Sequence, residues 1–489
     1  MRKLSIILCF AAIACKQEKK LFERLPASET GIDFVNNITE TKEHNVFTYQ
    51  YYYNGNGVAV GDLNNDGLTD VFITGNQTPS KLFINKGDFR FKDVTGISGV
   101  AGKDAWKTGA AIADVNGDGL LDIYVCYSGF GTDEDRAEQL FINMGNNAEG
   151  IPVFTEKAKE YGLDAPGTYT SQAAFFDYDR DGDLDLFQLN HANEFYSPFF
   201  NTKRLRTLRH PQYGNRLYRN DNGHFTDVSE SAGIFGGGNN FGLGIAISDI
   251  NNDGWPDVLV SNDFHEQDYL YLNNHDGTFR EICQLVFPHM SRNTMGLDIA
   301  DFNNDLLPDV YTLDMLPEDN YRQKILQGPD EYDKYTLMVD SGYGHQNNRN
   351  MLHLHRGFTE DGLPIFSEIG QFSGVSNTDW SWASLFADFD NDGYKDLFVT
   401  NGYLRESTNL DFMRYEVAVA LEEARAKGLD VSTTQGYMNN MPLYDLVKKM
   451  PSTKISNYMY SNNGDLTFTN QTKNWGLDEP GVSSGATYA

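Results

Sequence analysis

The segment DLNNDGLTD, Asp62 to Asp70, places three carboxylates and two carboxamides in nine residues around one glycine. It recurs as DVNGDGLLD (Asp114 to Asp122), DYDRDGDLD (Asp177 to Asp185), DINNDGWPD (Asp249 to Asp257), DFNNDLLPD (Asp301 to Asp309) and DFDNDGYKD (Asp388 to Asp396). Carboxylates crowded this closely repel or take up protons unless a cation sits among them. Oxygens at the first, third, fifth and ninth positions, with a main-chain carbonyl at the seventh, are the hard ligands that Ca2+ takes, and glycine at the sixth permits the sharp turn. The expected ligands are Asp62, Asn64, Asp66, Leu68 and Asp70; Asp114, Asn116, Asp118, Leu120 and Asp122; and Asp177, Asp179, Asp181, Asp183 and Asp185. They continue with Asp249, Asn251, Asp253, Trp255 and Asp257; Asp301, Asn303, Asp305, Leu307 and Asp309; and Asp388, Asp390, Asp392, Tyr394 and Asp396. In the third loop the seventh residue is itself an aspartate, and in every loop it is the carbonyl that would serve. Loop five is the weakest of the six expected Ca2+ sites, because Leu306 stands where the others have glycine. Asx-rich turns also cap strands without any metal, but six copies at fixed spacing favour the cation. Mg2+ fits less well, since it demands stricter octahedral geometry and keeps its waters.

These loops need elements that hold them. A run of small and apolar residues precedes each one (GVAVG, GAAIA, GIAIS), and a β-rich run follows (VFITGN, IYVCYS, LFVTNG). Strands on both sides, and no Glu at the twelfth position, exclude an EF-hand. Further on lies a second hairpin signal, as in KLFINKGDFRFKDVT (81–95), RLYRNDNGHFTDVS (215–229) and YMYSNNGDLTFTNQT (458–472). Each unit thus contains four strands, near 57–100, 109–163, 172–234, 242–290, 296–375 and 383–477, with no helical period. Such repetition predicts an all-β fold, a β-propeller rather than a solenoid. LFERLPASETGI (21–32) resembles the closing half of a unit, and GATYA (485–489) matches the strand before each loop. The expected architecture over 21–489 is therefore seven-bladed, with the last unit starting near 485 and incomplete in this sequence.

The chain has 489 residues, with 39 Lys+Arg against 69 Asp+Glu and a formal charge of -30. That balance argues against nucleic acid or an anionic lipid surface as partner. The six loops alone hold 21 of the acidic residues. Residues 1–14 read as an export signal, with Arg2 and Lys3 ahead of LSIILCFAAIA and Cys15 after Ala14. An ordinary signal peptide is one reading. The other is that AAIAC resembles a lipoprotein processing site, with Cys15 lipidated, 15–20 a tether, and Lys16 favouring the outer membrane. Cys126 and Cys283, both in apolar strand-like contexts, are expected as buried free thiols.

The repeated DxNxDGxxD, its small-residue strand and the following LFxNxG…FxDVT resemble FG-GAP/VCBS repeats, as in the integrin α-subunit propeller. The arrangement is also similar to bacterial proteins related to cartilage acidic protein, which carry a downstream ASPIC/UnbV domain. No such segment is visible here. The resemblance implies structural calcium sites at the outer edge of each blade and partner binding on the opposite face.

Eight residues before the first loop aspartate stand Trp106, Tyr169, Phe241 and Trp380 in four of the six units. In a propeller these would ring the channel mouth and, with Trp382, could stack on sugar rings; alternatively they pack between blades. Insertions at 311–350 and 403–457, the latter with a helical MRYEVAVALEEARAKG, sit where loops often carry function. HEQDY (265–269) lacks the second His of a zinc-protease helix, and no nucleophile elbow or phosphate loop occurs. The expectation is a surface-anchored binding or adhesion scaffold for a glycan or cell-surface protein, outer-membrane-attached and not an enzyme. The alternative is a calcium-dependent polysaccharide lyase or hydrolase.

Overall fold

The computed structural model describes residues 20–194, 202–329 and 331–488. The signal segment and Cys15 lie outside the described residues. Six four-stranded antiparallel sheets follow one another along the chain, each a simple meander. The first comprises Val58–Gly61, Asp70–Ile73, Lys81–Asn85 and Phe91–Asp93, and the sixth Ser381–Ala387, Asp396–Asn401, Tyr458–Asn462 and Phe468–Asn470.

The small residues ahead of each loop have a physical reason. They form the innermost strands, which touch from sheet to sheet: Gly57 N donates to Thr108 O at 2.7 Å, and Thr108 Oγ1 to Thr170 O at 2.7 Å. A Cβ on Gly57 would lie 2.6 Å from Ala110 N, and one on Gly296 would lie 2.0 Å from Trp382 O, so side chains there would push the ring apart. The core lies between sheets. Phe72, Ile84 and Val94 of the first pack with Ile123, Val125 and Phe141 of the second, and each such buried side chain contributes roughly 1.5–3 kcal/mol. Cys126 and Cys283 are buried free thiols.

Each outer strand ends on Phe-x-Asp, Phe-x-Glu or Phe-x-Asn, and in five of the six sheets a one-turn helix follows. Asp93 Oδ1 accepts from Thr95 N at 3.0 Å where the turn Thr95–Ser98 begins, and Asn470 Oδ1 does the same at Thr472–Trp475. After that turn a glycine approaches the outer strand of the next sheet, as Gly162 does Phe225 O and Gly233 does Phe279 O. The N-terminal segment joins this series. Gly31, at the end of Ala27–Thr30, abuts Phe91 O, while Gly476 abuts Phe22 O, and Phe22 N donates to Trp475 O at 2.8 Å. Residues 481–488 likewise touch both sides, with Ser483 N donating to Asn401 O at 2.8 Å and the Ser484 hydroxyl set against Gly55.

Residues 311–350 carry helices Asn320–Leu326 and Tyr332–Asp340, and Gln346–Asn347 pairs in parallel with Met290–Ser291. Residues 403–457 begin with a π-helical turn, Phe412–Val417, that runs into Ala418–Ala426. Two more helices complete that unit around Phe412, Leu446 and Val447. No helix among the described residues is long and apolar enough to cross a membrane.

Candidate metal centres and the channel mouth

Each acidic loop is a tight turn organised by its own carboxylates. Asp62 Oδ1 and Oδ2 accept from Asp66 N (3.0 Å) and Gly67 N (2.7 Å), Asp66 Oδ1 from Leu68 N (3.0 Å), and Asp70 Oδ2 from Leu63 N (2.9 Å). The pattern repeats from Asp114, Asp177, Asp249, Asp301 and Asp388. The fourth residue is left-handed in every loop, and Asn65, Asn252, Asn304 and Asn391 suit it because asparagine tolerates that region.

The donor set fits a hard dication. The carboxylates of Asp177, Asp179 and Asp185 bring ligand atoms within 4.8 Å of one another, as do those of Asp388, Asp390 and Asp392. Asp179 Oδ1 is buried without a hydrogen-bond partner among the described residues. A bare carboxylate oxygen beside two more carboxylates is an arrangement that a cation would satisfy. Burial pushes Asp185, Asp257 and Asp309 up to about 7 and Asp70, Asp122 and Asp396 up to about 6, with neighbouring loop carboxylates adding to it and two main-chain donors opposing. Asp179 is raised by burial, then by Asp181.

The structure adds a residue class that sequence reasoning passed over. The Asn closing the LFxN-type strand of a later sheet donates its amide to the loop of the preceding sheet: Asn143 to Leu63 O (2.9 Å), Asn273 to Tyr178 O (2.8 Å) and Asn462 to Phe302 O (2.8 Å); Asn85 of the first sheet donates to Thr69 O of its own loop. Its main-chain N–H meets its own loop's last aspartate, as Asn143 N does Asp122 Oδ1 at 2.8 Å. In the fifth sheet His355 takes this place, its Nε2 facing Ile250 O at 3.2 Å. An ion in one loop would therefore brace the neighbouring sheet. The recurring Asn in KLFIN, RLYRN and YLYLN was the available signal.

Loop five folds like the rest despite lacking glycine. Leu306 adopts φ 68, its N donates to Asp301 Oδ2 at 2.9 Å, and its side chain is 83% exposed. The turn geometry questioned from the sequence is present, at the expense of a leucine in the left-handed region. Leu306→Gly is expected to stabilise the protein by about 1 kcal/mol, the usual penalty for a side chain there. A denaturant midpoint that falls would contradict this.

The hairpin geometry puts the aromatics at the other end. A loop joins the end of an innermost strand to the next strand's start, so Trp106, just before Lys107–Ala113, and Ser128, just after Asp122–Tyr127, lie about 23 Å away at 3.3 Å per residue. Trp106, Phe241 and Trp382 are buried there and do not form an open stacking platform. Four tyrosines, Tyr49, Tyr51, Tyr52 and Tyr53, thread the mouth and pack on them; Tyr52 lies 4.8 Å from Trp106. This plug precedes the first repeat, so the repeat pattern gives no notice of it; four tyrosines in five residues was the clue. Tyr169 is half-buried, with the Arg136 guanidinium 4.6 Å over its ring. Trp380, also half-buried, stacks on Tyr403 at 4.1 Å.

Under the plug, Ser128 Oγ lies 2.8 Å from His191 Nε2, a spacing that a nucleophile and base would use. Tyr49 Oη shares both groups, at 2.9 and 3.1 Å, and His191 Nδ1 faces Ala192 O at 3.0 Å. Burial pushes His191 down to about 4, and the pair is sealed from solvent. It pins the plug. His353, also buried, is pushed down to about 3. For both, the neutral form is favoured in the folded state, so their stabilisation is complete above the unfolded value near 6.5 and is lost as pH falls toward 4 for His191 and toward 3 for His353. His191 alone accounts for about 3 kcal/mol at pH 4. The urea midpoint is expected to drop between pH 7 and pH 4.5, with a shallower drop in His191→Gln; equal drops in the two proteins would refute this role.

A model of the FG-GAP-like repeat matches residues 62–125, 208–260 and 249–312. The chain therefore carries FG-GAP-like repeats, built as the four-stranded sheets of an all-β, propeller-type scaffold. It is similar to cartilage acidic protein 1 of Xenopus tropicalis, 31% identical over 212 residues, which make up 43% of this chain and 29% of that protein. Integrin alpha-3 of Mus musculus is 32% identical over 81 residues, 14% of this chain and 8% of that one. The chain thus spans less than a third of the curated relatives it matches. Among solved structures, an Agrocybe aegerita lectin that recognises non-reducing terminal N-acetylglucosamine aligns over 88% of this chain and 85% of its own, at 14% identity and a TM-score of 0.42.

Proposed function

We propose that this chain is a calcium-stabilised binding scaffold that presents the face opposite its acidic loops to a glycan or a cell-surface protein. The observation carrying this reading is the division of labour between the two ends of the innermost strands. One end holds six carboxylate loops, including the unpartnered Asp179 Oδ1. The other holds aromatics, the insertions and an open cavity. The FG-GAP-like repeats and the partial similarity to cartilage acidic protein 1 and integrin alpha-3 support a binding role. The AAIAC segment supports attachment through lipidated Cys15 to the outer membrane, facing the periplasm or the cell exterior.

The test is retention of the purified chain on a panel of immobilised polysaccharides and cell-surface proteins, with product analysis alongside. Retention with the polysaccharide intact is expected. Release of new chain ends would favour the lyase or hydrolase alternative, and retention on nothing would refute the scaffold.

A further inference from the structure

We propose that the cavity between the channel mouth and the 311–350 insertion binds an acidic sugar, with Arg292 and Lys334 holding the carboxylate of a uronate-bearing saccharide. This rests on the scaffold reading and gives it a place and a ligand class. The cavity has a volume of about 650 Å³, in the range of small-ligand sites. Its floor comes from the sheet loops at Asn293, Met315 and Trp380, and its wall from the helix Tyr332–Asp340.

Charge is the first argument. Other half-buried or buried arginines have partners within the chain: Arg322 pairs with Asp379 and Glu406, Arg349 with Glu368 and Arg206 with Glu266, while Arg209 and Arg216 donate to main-chain carbonyls. Arg292 and Lys334 line the cavity half-buried, and neither makes an ion pair or a side-chain hydrogen bond among the described residues. In a chain of net charge -30, two such cations facing one cavity call for an anion from outside. Their fields meet, since both reach His265, which burial and these two charges push down to about 4. Glu331 also lines the cavity but is exposed at its rim.

The remaining wall chemistry selects a sugar. Trp380 Nε1 is buried without a partner, a donor awaiting an acceptor, and Gln346 Oε1 is buried without one, an acceptor awaiting a hydroxyl. Tyr403 covers one face of Trp380 at 4.1 Å and 4°, leaving the rest of the indole for the cavity. Tyr332 is 80% exposed on the opposite wall. Aromatic surface, one unsatisfied donor, one unsatisfied acceptor and a cation pair match a ring that bears hydroxyls and a carboxylate.

The experiment is calorimetric titration of the full chain, at fixed free calcium, with trigalacturonate, maltotriose and hexaglutamate. Trigalacturonate is expected to bind, and Arg292→Gln/Lys334→Gln to weaken it at least tenfold with an unchanged melting temperature, since neither side chain has a partner to lose. Absence of trigalacturonate binding, or equal binding by the double variant, would overturn the site. Maltotriose binding as tightly would overturn the role of charge, and hexaglutamate binding as tightly would overturn the sugar. Retention on the polysaccharide panel by the double variant would move binding elsewhere and leave the scaffold standing, whereas loss of all retention by the unmodified chain would remove the scaffold itself.

Discussion

Excess EDTA is expected to lower the melting temperature further than any single loop substitution does. A ligand that binds only the folded state stabilises it by RT ln(1 + [L]/Kd), about 2.7 kcal/mol for each site when free calcium is a hundredfold above Kd. Six loops would share that effect, and the amides of Asn143, Asn273 and Asn462 tie the first, third and fifth loops to the next sheet, so loss of the ions would loosen contacts between sheets as well as the turns. The third loop offers a test with a change of sign. Asp179 Oδ1 lacks a partner and sits beside Asp177 and Asp185. With calcium present, Asp179→Ala removes a ligand and should lower the melting temperature. In EDTA the same substitution removes a repelling, half-buried charge and should raise it. Equal melts with and without chelator would sink the metal centres, and an Asp179→Ala effect of one sign in both conditions would remove loop three from the set.

The loops and their strands were legible because they are local. Nine residues fix each turn, and the small-residue and β-rich runs fix the two strands, so DLNNDGLTD announces its hairpin wherever it occurs. What joins distant parts of the chain was not. His355 doing the work of an Asn depends on Ile250, 105 residues away. The burial of Trp106, Phe241 and Trp382 depends on a tyrosine segment outside the repeats. Leu306 misled in a different way: its absent glycine puts the turn itself in doubt, yet hydrogen bonds arranged as in the other loops hold the turn and leave the leucine in the left-handed region. The cavity against the 311–350 insertion is the product of two segments that no period in the sequence relates.

Ring closure by the N-terminal segment is the remaining large expectation, and glycine contacts make it measurable. Phe22 rests on Trp475 (6.4 Å) and Phe389 (5.9 Å), in the position that Phe91, Phe225 and Phe279 hold against the glycines before them. If this contact closes the ring, deleting residues 20–31 should lower the melting temperature, speed amide exchange at 468–476, and promote association through the uncovered outer strand. A substitution pair separates closure from general damage. Gly476 (φ 100) and Gly357 (φ 98) have nearly the same positive φ, at which alanine is strained. A Cβ on Gly357 meets nothing within 4 Å, whereas one on Gly476 lies 2.5 Å from Phe22 O. In the intact chain Gly476→Ala should therefore cost about 1–3 kcal/mol more than Gly357→Ala, the range for overpacking a filled site. In the chain lacking 20–31 the two should cost the same, because the difference is a coupling to that segment alone. Equal costs in the intact chain would mean that the Phe22 contact bears no strain, and the segment would then ornament the ring without closing it.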